Sequence, residues 1–406
     1  MAEQSNVPAA PAPGMSRART LLFAVAGGAA VGNLYWAQPL LEEMAAALRV
    51  SQAVAGLLVT VTQIGYAVGI FLVVPLGDVL NRRRLVPGVL VASGVALFAA
   101  AAAPTWTTAL LALTAVGLTS VGAQLLIPLA GDLADPQERG RVVGTIVSGV
   151  LVGILLSRTI SGVVADLFGW RAIYVLAGVL AWAFAAVLLR VLPTLPSRDH
   201  LPYGRLLASV FTAIRSDRAV PVTLVLGSSG FAVFTLLWTA MTFLLTAPPF
   251  SYSLTTIGLV GFAGLAGALA ARGAGRLHDR GLSVPVTGAA LALALASLAL
   301  AALGQQSIVV LLVAVVLFDV TTQAAMILNQ TRLLSIDPEA RSRMNTAFVT
   351  ANFIGGAIGS AMAGVLWHHG GWRSVMAGGG GVLALALVVW CLNRRTLAAV
   401  RPAPAA

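Results

Sequence analysis

Lysine is absent from this 406-residue chain: every one of its 25 basic residues is arginine, a bias that fits GC-rich coding. Without lysine no G-x-x-x-x-G-K-[ST] loop can be completed, which disfavours ATP use. A single cysteine, Cys391, excludes a disulfide framework and any C-x-x-C metal site. The four histidines (His200, His278, His368 and His369) all lie in short polar stretches, so no internal zinc cluster can be written. Charge is scarcer still. Only 10% of residues are charged, where a soluble chain carries roughly 25%, too few to cover a globular surface. Residues 1–16 are rich in Pro, Ala and Ser and hold no apolar run of signal-peptide type. What the chain has is apolar: 58% hydrophobic residues, with a mean hydropathy of +0.92. That composition specifies a polytopic membrane protein. The formal charge of +11 would suggest nucleic acid if it formed one patch, but the arginines sit in short clusters between long apolar runs.

A hydrocarbon core about 30 Å thick needs roughly 20 apolar residues as helix. Twelve such runs occur, near 20–41, 54–76, 85–103, 107–131, 142–166, 172–192, 220–247, 255–271, 284–303, 307–330, 344–367 and 374–392. Bare backbone groups cannot be satisfied in lipid, so these runs are helices. With both termini placed in the cytoplasm, 21 arginines fall on that side, Arg332 among them. Three (Arg49, Arg171 and Arg373) fall on the other, and Arg158 alone lies inside a span. The positive-inside rule therefore puts both ends in the cytoplasm.

The longest polar stretch, about 193–219, divides the chain into two sets of six spans, 17–192 and 220–393, with tails at 1–16 and 394–406. The stretch contains an amphipathic segment from Tyr203 to Arg215 suited to a membrane surface. Shifting the sequence by 202 positions superposes Asp135-Pro136 on Asp337-Pro338, and Arg139 and Arg141 on Arg341 and Arg343. The same ungapped shift carries Gly153 to Gly355, Gly162 to Gly364, and Gly169-Trp170-Arg171 to Gly371-Trp372-Arg373. Duplicated halves imply a pseudo-two-fold along the membrane normal, with a site between them.

These motifs, with Gly77-Asp78 and Arg82-Arg83-Arg84 after span two and Asn33-Leu34-Tyr35-Trp36-Ala37-Gln38-Pro39 in span one, resemble the major facilitator superfamily of secondary transporters. Within it they resemble the bacterial drug-efflux-like, drug–proton antiporter branch. The family's loop after span two reads G-x-x-x-D-R-x-G-R-R. Asp78, Arg82 and Arg83 match it, and the second-half counterpart keeps Gly275, Asp279 and Arg280. The resemblance implies that these residues gate the inner side; the plain alternative is that the arginines only hold the loops inside. It also implies a monomer. The antiporter motif of span five falls on Gly144, Gly153, Ser157, Arg158, Ser161 and Gly162, with Arg158 in place of the usual proline. Small residues at Gly149, Gly153 and Gly162 would let span five approach a neighbour, and Gly258, Gly261, Gly264 and Gly267 make span eight the expected partner.

An arginine inside a span costs about 2.5–3.5 kcal/mol on a permissive insertion scale, so Arg158 requires water, carbonyls or a carboxylate. It reads equally as an anion-binding or coupling residue and as a structural lock. Asp319 is the one carboxylate near the middle of any span, and it shares a helical face with Thr322, Gln323, Met326 and Gln330. An acid there can take up and release a proton as its surroundings change; the alternative is a structural pair with Arg158, which their similar depth allows. Further cavity candidates are Asn33, Gln38, Gln63, Tyr66, Gln124 and Trp238. On an ideal helix Asn33 and Gln38 lie about 140° apart, so both cannot face one cavity squarely. If Asp319 is not the coupling acid, Asp78 or Asp166 near a membrane face would be.

The expectation is a twelve-span inner-membrane transporter exporting a small organic molecule in exchange for protons, with no cofactor and no metal. An importer of the same fold is the alternative. A membrane enzyme or sensor is disfavoured, because the spans hold one central acid and no histidine and neither tail is long enough for a soluble domain. A channel would need a charge ring or a re-entrant filter, and none is visible.

Overall fold

The structure, a computed structural model, describes residues 15–193, 202–264, 277–278, 280–337 and 340–400. Among these, nine helices are long and apolar enough to cross a membrane. One of them, Arg341–Ala399, contains two crossings that meet at Gly370–Gly371. Span one begins as the 16-residue helix Arg17–Gly32, and the shorter apolar helix Leu254–Gly264 is the described part of the run expected as span eight. The face on which the helix starting at Arg17 begins and the loop joining spans two and three lies is called here the terminal face.

The repeat seen in the sequence is built into the backbone. Gly169 and Gly371, equivalent under the 202-residue shift, both adopt positive φ, at 79° and 60°. Each makes the sharp turn from span five to six or from eleven to twelve, a conformation closed to most side chains. The following tryptophans, Trp170 and Trp372, are both buried. Trp372 donates its indole N–H to the Ala301 carbonyl at 2.7 Å.

Close backbone packing sets the helix positions. Spans one and five (Arg139–Phe168) run parallel: a Cβ on Gly149 would meet the Ala24 Cβ at 2.6 Å, and one on Gly153 would collide with Gly28. Spans seven (Ala219–Thr246) and eleven repeat this, with Gly355 against Ser228 and Gly359 against Ala232. The expectation that Gly149 and Gly153 join span five to span eight is therefore corrected. Both face span one, and only Gly162, lying against the Leu254 carbonyl, reaches span eight.

Two symmetric seams join the halves away from the terminal face. In one, a Cβ on Gly258 would lie 2.6 Å from the Arg158 carbonyl; in the other, a Cβ on Gly56 would lie 3.2 Å from the Ser360 carbonyl. Gly56 maps to Gly258 and Arg158 maps to Ser360 under the same shift of 202. Hydrogen bonds bolt both seams: Thr159 Oγ1 donates to the Gly258 carbonyl at 3.0 Å, and the Thr60 and Ser360 hydroxyls pair at 2.8 Å.

Span one departs from a simple rod. Its helix ends at Gly32, turns occupy 33–37, a 3-10 turn spans Gln38–Leu40, and Leu41–Ala47 completes the crossing. Pro39 supplies no N–H for a carbonyl one turn back, so a regular α-helical ladder cannot run through this stretch and the chain passes it as a 3-10 turn. The freed carbonyls find donors on both halves, as lipid requires. Ser161 Oγ donates to the Trp36 carbonyl at 2.7 Å and Thr242 Oγ1 to the Gln38 carbonyl at 2.8 Å.

This packing makes opposite predictions for two glycines of the same span. Gly162→Ala drives a methyl into the Leu254 backbone, so the thermal midpoint of purified protein should fall, by about 1–3 kcal/mol of stability. A Cβ at Gly144 meets nothing within 4 Å, so Gly144→Ala should hold or raise the midpoint through helix propensity, worth about 1 kcal/mol.

Candidate functional site

The broken end of span one delivers Gln38 to the middle of the molecule, where it meets Arg158 of span five. Arg158 is 4% exposed, and its Nε donates to Gln38 Oε1 at 3.0 Å. Its guanidinium lies 4.0 Å over the Trp238 ring and within 6 Å of the Tyr35 and Phe234 rings, at 5.4 and 5.8 Å. Cation–π contacts in a desolvated site are worth about 2 kcal/mol; they keep the charge buried without a carboxylate in contact. A side chain on Gly261 would strike Arg158, which explains a glycine there.

At the indole N–H edge of Trp238 sits Asp319 of span ten (Ile308–Ile336), 2% exposed. The Trp238 indole N–H donates to Asp319 Oδ1 at 3.4 Å, and a Cβ on Gly264 would touch Oδ2 at 3.0 Å. Arg158 and Asp319 are thus brought together on one tryptophan, the cation over its ring face and the acid at its edge, without a direct ion pair. Spans one, five, seven, eight and ten all contribute to this cluster, so both halves build it.

The remaining candidates are dispersed. Asn33 faces span three, where it accepts from the Trp36 indole at 2.9 Å and donates to Ser93 Oγ at 3.4 Å. It lines a small cavity with Trp36, Leu90 and Phe184 that is separate from the one Gln38 lines, and the ideal-helix angle to Gln38 fails because the helix has ended before either residue. Gln63 is fully buried with neither amide atom partnered. Tyr66 stacks edge-on against Phe353 of span eleven at 4.3 Å and accepts from Gln124 Nε2 at 3.4 Å. Gln323 is half-buried on the Asp319 helix. Further along that helix Gln330 donates to Asn345 Oδ1 at 2.9 Å. Span ten runs past 330 to Ile336, so Arg332, assigned to a loop from sequence, is instead buried at 1% exposure with Nη2 on Asn329. Its helix continues because Gln330–Ile336 contains neither Gly nor Pro to stop it.

At the terminal face Arg82 is the hub of a charge cluster. It donates to the Gly77 carbonyl at 2.5 Å, to Asp78 at 2.9 Å and to Asp132 at 2.7 Å, while Arg139 stands 3.8 Å from the other Asp132 oxygen. These contacts tie the loop after span two to the ends of spans four and five within one half. Asp132 was not singled out from the sequence, although it lies one turn before the Asp135-Pro136 motif that was. Arg83 has an exposed side chain, and its backbone N–H is capped by Asn81 at 2.9 Å. In the second half Arg280 lies in an exposed turn, and Gly275 and Asp279 fall outside the described residues.

At the opposite face Asp166, from the end of span five, accepts the Thr255 backbone N–H at 2.8 Å. It thereby caps span eight across the seam, where the helix end favours a negative charge. Beside it Glu43 accepts from the Trp170 N–H at 3.2 Å. Asp166→Ala removes the cross-seam cap, worth about 1 kcal/mol. In a Cys391→Ser background, a cysteine at the buried Ser161 should then react several-fold faster with a water-soluble maleimide. An unchanged rate would show that Asp166 does not hold the seam.

Comparison with known proteins places this geometry. Residues 22–359 match the Major Facilitator Superfamily. The chain is 43% identical over 376 residues to the uncharacterized transporter YgaY of Escherichia coli O157:H7, covering 93% of this chain and 95% of YgaY. It is 36% identical over 384 residues to the transporter SCO4007 of Streptomyces coelicolor, covering 94% and 87%. Its fold matches that of a bacterial homologue of the human lysosomal transporter Spinster in an inward-facing, occupied conformation, with TM-score 0.78, 16% identity, and coverage of 95% and 98%. With its many membrane-crossing helices and its family sequence spanning most of its length, this chain is a multi-pass membrane transporter, not an enzyme, and it belongs to the major facilitator superfamily.

Proposed function

We propose that this protein is a proton-coupled secondary transporter of the bacterial inner membrane, working as a monomer by alternating access. Its physiological role is export of a small organic solute, the activity of the drug-efflux-like branch that its motifs resemble. Both termini face the cytoplasm, which the arginine distribution supports. One observation supports the reading above the others: a buried cation, Arg158, over the ring face of Trp238 and a buried acid, Asp319, at its indole N–H meet where elements of both halves converge. The protonation state of Asp319 sets the net charge of that pocket. A change of charge there alters what the pocket binds and how firmly the halves hold together. The seams provide the moving part. Glycine contacts and single hydroxyl bonds join spans five and eight and spans two and eleven, with the edge-on Tyr66–Phe353 contact added on the second seam. Such seams can part and re-form as rigid halves rock about a central site.

The test uses purified protein in liposomes loaded with a pH-sensitive dye, challenged with a panel of small organic solutes. Solute-dependent proton movement is expected for wild type, with loss of at least about tenfold in rate for Asp319→Asn, the range over which a positioned proton-transfer group acts. Proton movement that survives in Asp319→Asn would make that residue structural and move the coupling role to Asp78 or Asp166.

A further inference from the structure

Two hydrogen-bond donors in the centre of the molecule have nothing to donate to. Arg158 Nη2 and Gln38 Nε2 are both buried without a partner, on side chains 4% and 2% exposed. Both residues line one small cavity of about 10 Å³, completed by Trp238, Met241, Thr242 and Ile257. An unmade hydrogen bond at a buried donor costs about 1–3 kcal/mol, and more when the donor is charged. The protein tolerates two such costs in one place.

The chemistry of the missing partner follows from the inventory. Arginine has donors only. The Gln38 amide has already given its oxygen to Arg158 Nε, so what it presents is its NH₂. Both groups therefore ask for an acceptor, and the guanidinium asks for a negative one. No hydrogen bond reaches either donor from the protein, and the nearby carboxylate, Asp319, turns Oδ1 to the Trp238 indole. Sequence symmetry sharpens the point. The position equivalent to Arg158 in the second half is Ser360, which serves its seam through its carbonyl and hydroxyl. Seam packing therefore does not require arginine at 158. The apolar lining of the cavity, from Pro39, Trp238, Met241 and Ile257, is suited to a compact apolar body behind an anionic head.

We infer that Arg158 and Gln38 form a carboxylate-binding subsite, and that the transported solute is an organic acid with a compact apolar or aromatic body. This rests on the transporter reading above and names its substrate class. In the present conformation the cavity accepts one water-sized group, such as a carboxylate oxygen. It is bordered by Ile257 on span eight, so parting of the five–eight seam would enlarge it.

The experiment uses full-length protein in detergent and three probes that share one ring: benzoate, benzamide and phenyltrimethylammonium. Ligand-induced thermal stabilisation should report binding of benzoate at least about tenfold tighter than benzamide, which corresponds to 1.4 kcal/mol. The preference should vanish in Arg158→Gln, shrink in Gln38→Leu, and return in part in Arg158→Lys, which keeps the charge and loses the fork. The Gln38→Leu result carries the test if Arg158→Gln does not fold. Equal response to benzamide, preference for the cation, benzoate binding that survives Arg158→Gln, or no response to any probe would each overturn the subsite; the last would leave the cavity to water. A flux assay in liposomes separates the two readings. Movement of the neutral or cationic probe without benzoate would sink the carboxylate proposal and keep the transporter. Arg158-dependent benzoate binding without flux of any solute would do the reverse.

Discussion

Everything in this molecule hangs on backbone-to-backbone contact between helices that carry glycine where they cross. Lipid offers no hydrophobic drive for helix association, so packing distance and interhelical hydrogen bonds decide which surfaces meet. Gly149, Gly153, Gly355 and Gly359 fix spans one and five and spans seven and eleven inside their own halves. Gly56, Gly162 and Gly258 then join the halves to each other away from the terminal face. Within-half contacts are multiple and continuous, whereas the five–eight seam is held by a few polar bonds among the described residues, from Thr159, Asp166 and the glycine contacts. The proposed rocking of the two halves would use that difference at the five–eight seam.

Against this symmetric frame, the functional centre is defined by what breaks symmetry. Arg158 stands where the other half has Ser360, Asp319 has no counterpart in span four, and the helix of span one fails at the depth where Gln38 can reach the arginine. The departures cluster at Trp238, whose ring face takes the cation and whose indole N–H takes the acid. A structural ion pair would place guanidinium against carboxylate. Anchoring on different parts of one tryptophan leaves each group able to change partner or protonation state.

Much of this was legible in the sequence, because the constraints are local and repetitive. Span count follows from run length, and the duplication from an ungapped shift. The turn glycines at 169 and 371 follow from a conformation few other residues adopt. Arg158 and Asp319 stood out because charge in a span is costly. What the sequence did not disclose depended on where helices end and which way they face. Pro39 breaks span one earlier than an apolar run reveals, which turns Asn33 away and Gln38 inward. Span ten continues beyond its apolar run, because helix propensity and not hydropathy sets its end, and so Arg332 is buried. Gly149 and Gly153 were recognised as packing residues but assigned the wrong neighbour. Small residues announce close approach without naming the partner. Asp132 escaped notice because its role depends on Arg82, fifty residues away in sequence.

The central claim is that the five–eight seam opens and closes while each half stays rigid. Spin labels on cysteines at the exposed positions Leu167 and Leu259, in a Cys391→Ser background, report that seam directly by pulsed electron-resonance distances. The account predicts two distance populations whose ratio shifts with pH in wild type. A control pair within one half, at Val152 and Leu21, should keep a single unchanged distance. One fixed Leu167–Leu259 distance at every pH and with every solute, or movement of the within-half pair to the same extent, would contradict it.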